Sequence, residues 1–460
     1  MSDLMSPIFC CFSCDDDRFF QTVCESIPVR SREEDQQLAS LLQALGSTLS
    51  LGGELPRKTC RSVGRVLGLC ASRVDLTLTP SKISLKGALL LLRHESKLHK
   101  LRLSVGMAVK LSRLVRRTGR GATPLTVPEL SLVLKSSHLP ERVLSRALSS
   151  VASLLRLWRV QCLDLTDFWI QGHSLITLLC HQGPLSLRLN SDTLQQLTVV
   201  VYEAQDKDLT QLFLEKVGGD LTSCRLDWEV LLSLLQLSTH NITVDLRKNR
   251  LLEKNISDLL PFLGRVTLKS VDRKLLLSFL QCCVASQVQE GAPSPPTAVW
   301  LLRSLHYRLD FSCSSSVDLL AQDQEKALCL TTDHCRAINS VLKQNQHSTQ
   351  LVQNQVQLIL RDCEVEDRAL WELLPILHIV KLSPSKALLL QLLDLVCEGI
   401  EEGLLRHAES RGRSLDGELD LSETRLDQKA CGSLPWFWNT QRVCQNWTSA
   451  LSTTDHHLQP

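Results

Sequence analysis

The sequence predicts an α/β solenoid of stacked strand–turn–helix units, and three observations predict it. A phrase of the form apolar-x-apolar-x-x-polar-x-apolar keeps returning, most fully as Val244-Asp245-Leu246-Arg247-Lys248-Asn249-Arg250-Leu251. Small and apolar residues follow several copies at helical spacing. Leucine fills the interior: hydrophobic residues make up 43% of the chain and aromatic ones only 4%. A phrase that recurs every few tens of residues means units that share one continuous core.

The strand comes first in each unit. Two apolar residues two apart put both side chains on one face of a strand. Such pairs stand at Leu76-x-Leu78, Leu132-x-Leu134, Leu187-x-Leu189, Cys224-x-Leu226, Leu358-x-Leu360, Val380-x-Leu382 and Leu419-x-Leu421. Leu163-x-Leu165 is a degenerate copy, and weaker ones lie near Leu49, Leu101, Val266 and Leu309. The turn follows. Three residues past each pair stands Ser81, Ser137, Asp192, Glu229, Cys363, Ser385 or Thr424; a short side chain there can bond backbone groups that the strand leaves open. Phe168 holds that slot in the degenerate copy.

The helix comes last. Ile83 is followed by Gly87 and Leu91, Val365 by Ala369 and Leu373, and Leu426 by Ala430 and Leu434. Positions four and eight along lie on one helical face. A small residue at the first of them lets the helix approach the strand layer.

With these residues in place, the chain resembles the ribonuclease-inhibitor type of leucine-rich repeat over roughly Thr48 to Leu434. That type also forms the C-terminal arrays of vertebrate NOD-like receptors. The resemblance implies a horseshoe with parallel strands on the concave face and helices on the convex face. It also implies protein binding by the concave surface, and an immune or regulatory sensor role. Uneven unit lengths, with asparagine in the polar slot only at Asn249, predict an irregular curve.

Five segments are expected: a tail and capping helix over 1–45, a first array over 46–288, a Pro-rich linker or loop over 289–297, a second, less regular array over 298–434, and a cap and tail over 435–460. Within the first, Glu33 to Leu45 is amphipathic. In the last, Trp436, Phe437, Trp438 and Trp447 suit a lid on the final unit.

Composition excludes some functions. Net charge is only +2, which gives no global pull toward nucleic acid or membrane. No run approaches the roughly 20 apolar residues of a membrane helix. The chain opens with neither a basic lead nor a long apolar stretch, so no secretory signal is read. The 18 cysteines are scattered and several fill motif slots, as buried reduced thiols would. These features predict a cytoplasmic protein. The sequence holds no Gly-rich phosphate loop and no Gly-x-Ser-x-Gly elbow, so neither catalysis nor a nucleotide switch is expected. Cys11-x-x-Cys14 has no second ligand pair nearby, so no metal or cofactor is expected.

Recognition is therefore the expected function. The residue between the paired strand apolars should face the concave surface, which gives Arg102, Asp164, Arg188, Arg225, Asp245, Lys381 and Asp420 as candidate protein-binding residues. Arg188 and Arg225 are the anchors among them, since interface hot spots favour Arg, Tyr and Trp. An alternative is binding of nucleic acid or anionic lipid by the basic segment 97–120, which has no acidic residue. Its lack of aromatic residues removes any platform for base stacking and favours a solvated helix face.

Overall fold

The computed structural model describes residues 19–26, 31–118, 125–133, 140–248, 255–286, 297–312, 328–347, 355–385, 387–389 and 391–392. They fall into two compact units. One holds those up to Cys224 together with Gln236–His240; the other holds Arg225–Leu235 together with those from Asn241 onward. The expected linker 289–297 lies outside the described residues except for Thr297, and so do the expected lid residues Trp436, Phe437, Trp438 and Trp447.

The first unit opens with two helices, α1 (Phe19–Ser26) and α2 (Arg32–Ala44). Strands and helices then alternate: β1 (Thr48–Leu55), α3 (Arg57–Leu69), β2 (Val74–Ile83), α4 (Leu85–Leu92), β3 (Leu98–Ser104), α5 (Val105–Thr118), β4 (Thr126–Val133), α6 (Glu141–Leu155), β5 (Arg159–Asp164). After a 3-10 turn at Gly172–Leu175 come α7 (Ile176–Leu179), β6 (Ser186–Arg188), α8 (Ser191–Ala204) and α9 (Lys207–Val217). The six strands form one parallel sheet in chain order, so each strand pairs with the next along the sequence.

Local chemistry sets the helix starts. Ser31 and Glu34 form a reciprocal capping box on α2, each bond 3.2 Å. Ser84 caps α4 by accepting from the Gly87 N–H at 3.1 Å, so the bonding residue lies three beyond the expected Ser81. Pro56 and Pro140 stand immediately before α3 and α6, where a missing N–H costs nothing.

The core is the apolar side of the sheet. Leu49, Leu76, Leu101, Leu130, Leu163 and Leu187 form one register row, and none is more than 5% exposed. Burial of each such leucine is worth about 2 kcal/mol. Neighbouring helices are held close by glycine. A Cβ on Gly64 in α3 would come within 2.7 Å of the Leu90 carbonyl oxygen in α4. Gly87, expected to admit the strand layer, instead faces the preceding helix: a Cβ there would meet the Cys60 Sγ at 3.0 Å. The close approach is therefore helix to helix.

The second unit begins at Arg225 and takes in α10 (Trp228–Leu237) as far as Leu235. Its later elements are β7 (Ile242–Asp245), α11 (Ile256–Leu259), β8 (Val266–Ser270), α12 (Arg273–Ser286), α13 (Thr297–Ser304), β9 (Arg308–Asp310), β10 (Leu328–Leu330), α14 (Thr332–His347), β11 (Val356–Leu360), β12 (Cys363–Val365), α15 (Asp367–Leu373) and β13 (Val380–Pro384). Strand β7 pairs with β8, β11 lies between β9 and β13, and β10 pairs with β12; every pair is parallel.

The ladders correct the placing of two phrases. Leu130 and Leu132, not Leu132 and Leu134, match Leu101 and Leu103 across β3 and β4. Val356 and Leu358, not Leu358 and Leu360, match Val380 and Leu382. Both runs are apolar over more than one alternation, so period alone leaves a two-residue slip that pairing resolves. Cys224-x-Leu226 forms no strand; both residues are buried in an irregular stretch before α10.

Candidate interaction surface on the polar face of the sheet

Opposite the leucine row, the six-stranded sheet carries two polar rows. Strand alternation puts Thr48, Asp75, Lys100, Glu129, Cys162 and Ser186 in one, and Ser50, Thr77, Arg102, Ser131, Asp164 and Arg188 in the other. Three carboxylates (Asp75, Glu129, Asp164) and three cations (Lys100, Arg102, Arg188) balance on this face.

Most of these charges are tied together. Lys100 makes an ion pair with Glu129 on the next strand and another, at 3.1 Å, with Asp164 two strands away. Arg188 reaches back from β6 to Glu129 at 2.9 Å. Side chains of Lys100, Glu129 and Asp164 are only 14%, 11% and 15% exposed, so the network is partly desolvated. Burial by itself would raise the Glu129 carboxyl. The hydrogen bond and charge of Lys100, then the charge of Arg188, outweigh that and hold it below the ordinary range. Burial likewise opposes the Lys100 ammonium, but its bonds to Glu129 and Asp164 hold its value above the ordinary one.

Asp164 has a second role. Its Oδ1 accepts from the Thr166 N–H at 3.1 Å and from the Thr166 hydroxyl at 2.7 Å. The second unit repeats this turn: Asp310 Oδ1 accepts from the Ser312 N–H at 3.0 Å and its hydroxyl at 2.6 Å. Asp245 accepts from the Arg247 N–H at 3.1 Å. Aspartate at the end of a strand thus closes the turn by which the chain leaves the sheet. Burial raises the Asp164 and Asp310 carboxyls, and these turn bonds, with Lys100 or Arg308, bring both below the ordinary range.

The backbone bonds expected from polar slots are made in three ways. Ser385 accepts from the Leu388 N–H at 3.1 Å, and Cys363 donates to the carbonyl of Phe311, the residue after β9, at 3.5 Å, both as the spacing predicts. In the copy at Leu187 the work falls to Asn190 instead of Asp192. Its amide donates to the Thr166 and Phe168 carbonyls at 3.2 and 2.5 Å, and its oxygen caps α8. Asn249 lies outside the described residues.

The predicted site residues therefore separate. Arg102, Asp164 and Arg188 share one row of the first unit. Arg225 sits in the irregular stretch before α10, exposed and on no described strand, so it does not continue that row. Asp245 ends β7, and Lys381 lies on β13 in a row with Gln357 and Arg308. Asp420 lies outside the described residues. Arg102 is exposed and, among the described residues, makes no ion pair. Lys100 and Glu129, at the centre of the network, were missed; each stands two residues before a row position, and two residues is the strand period that could have found them.

The described part of the basic segment is divided between a strand and a helix. Lys97 precedes β3, Lys100 and Arg102 sit on the strand, and Lys110 and Arg113 lie on α5, while Arg120 is outside the described residues. The expectation of a single solvated helix face is corrected accordingly. Cys224 and Cys363 are buried, in keeping with thiols used as small apolar groups. Burial pushes the Cys363 thiol up to about 12. Among the described residues no cluster of three His, Cys, Asp or Glu could hold a metal, and no helix is long and apolar enough to cross a membrane. No family model matches the chain, and no curated protein matches it.

Proposed function

We propose that this chain is a non-catalytic, cytoplasmic scaffold of the leucine-rich-repeat solenoid kind that recognises a protein partner through the polar face of its first unit. In the first unit, parallel strands in chain order with helices between them support the repeat reading. The sensor role rests on the resemblance to NOD-like receptor arrays alone.

One observation carries the binding reading. Arg102 stands exposed in the middle of a charge lattice whose other cations are already paired. Fixed charges around a free guanidinium form a preorganised recognition surface, because little side-chain freedom remains to be lost on binding.

The test compares proteins recovered by affinity purification with the natural chain and with Arg102→Glu, after matching their melting curves. A partner that depends on Arg102 and ignores Arg225→Glu is the expected result. Retention of every partner by Arg102→Glu counts against the polar face.

A further inference from the structure

A second site lies away from the sheet's polar face. An open cleft of about 660 Å³ runs between the end of α6 and the loop after α7. Its walls are apolar at Ala152, Leu155 and Leu178. Arg156, His181 and Gln182 add polar groups, and no carboxylate lines it. The size and the mixture of apolar wall with few polar groups suit a small organic molecule.

A buried charge sits behind the same loop. Lys216 on α9 is 2% exposed, and its ammonium donates to the Gly183 carbonyl at 2.5 Å. Among the described residues no carboxylate lies within ion-pair distance of it. Charge in such a position is poorly screened by solvent and acts on its neighbours. Its effect is felt next door: burial first, then the charge of Lys216, holds the His181 imidazole below its ordinary value. At neutral pH His181 is therefore an uncharged hydrogen-bonding group, and Arg156 is the charge at the mouth.

We propose that this cleft binds an amphipathic organic anion, a carboxylate carried on an apolar chain. The chain would lie on Ala152, Leu155 and Leu178, and the carboxylate would meet Arg156 within the field of Lys216. This goes beyond the protein-binding face, since no residue is shared between the two sites.

Titration calorimetry of the full chain tests it with octanoate, octylammonium and phosphatidylserine vesicles as separate probes. Octanoate binds and octylammonium does not. Arg156→Gln weakens octanoate about tenfold, the scale of one lost charge-assisted bond. Ala152→Trp fills the wall and abolishes binding; both variants are first shown to melt as the natural chain does. Equal binding of octylammonium, an unchanged affinity in both variants, or no octanoate binding overturns the proposal. Vesicle binding without octanoate binding overturns it too, because that is a surface and not a cleft.

Discussion

Gln21 on α1 holds both backbone groups of Gly52 in β1: its Oε1 accepts the Gly52 N–H at 2.8 Å and its Nε2 donates to the Gly52 carbonyl at 3.1 Å. That exchange is what another strand would make with β1. The edge strand of a sheet exposes open donors and acceptors, and one side-chain amide here answers a pair of them. Gln21 itself is 7% exposed, so both bonds are shielded from water.

Gln21→Leu should therefore cost about 2 kcal/mol, the penalty for leaving buried backbone groups without partners. Gln21→Glu should cost more at neutral pH, because a carboxylate would face the Gly52 carbonyl. Urea unfolding of both variants measures this. Equal stability of all three proteins would show that water or another group replaces the amide.

The charge lattice should behave as one unit. Lys100→Met leaves the Glu129 and Asp164 carboxylates with little solvent and one fewer cation, a loss on the order of 3 kcal/mol. Glu129→Leu in the same background should recover part of it. The double-mutant cycle between Lys100 and Glu129 should give a coupling of about 1 kcal/mol or more. Additive effects would mean the two side chains are not joined in solution.

Acid should weaken the first unit through the same residues. The Glu129 and Asp164 carboxyls are held below their ordinary values of 4.5 and 3.8 when folded. The stability they add is complete above those values. It is lost as the pH falls through the lower folded ones, because the unfolded chain takes up the protons first. Melting temperature should therefore decline below about pH 5. Asp164→Asn should flatten part of that decline; an unchanged slope would mean Asp164 titrates as a free carboxyl.

Most strands were legible because apolar pairs mark them: even the weak copies at Leu49, Leu101, Val266 and Leu309 lie on strands, though the pair Cys224-x-Leu226 does not. Register was less legible, as at Leu130 and Leu358, where the apolar run outlasts one alternation. The row holding Arg102, Asp164 and Arg188 could be read from strand period. Its wiring could not: Lys100 meets Asp164 across 64 residues and Arg188 meets Glu129 across 59. Such pairs follow from how strands stack, which no local pattern records. Asp164 carries two signals at once: its row position puts it on the polar face, and the Asp-x-Thr spelling marks the turn it closes.

Glycine supplies the last prediction, with its own control. A Cβ on Gly172 would sit 2.8 Å from the Leu197 nitrogen and 2.9 Å from the Gln196 carbonyl oxygen, both backbone atoms of α8. Backbone cannot swing aside as a side-chain tip can, so Gly172→Ala must push α8 away from the 3-10 turn at Gly172–Leu175. The expected cost is about 2 kcal/mol, in the range of an overpacked core. Gly106 in α5 has nothing within 4 Å of the same added atom. There alanine only lowers the entropy of the unfolded chain and suits a helix better, so Gly106→Ala should stabilise by about 0.5 kcal/mol. Thermal or urea unfolding of the two variants side by side gives opposite signs if α8 packs as closely as the structure has it. A neutral Gly172→Ala would place α8 farther from the turn.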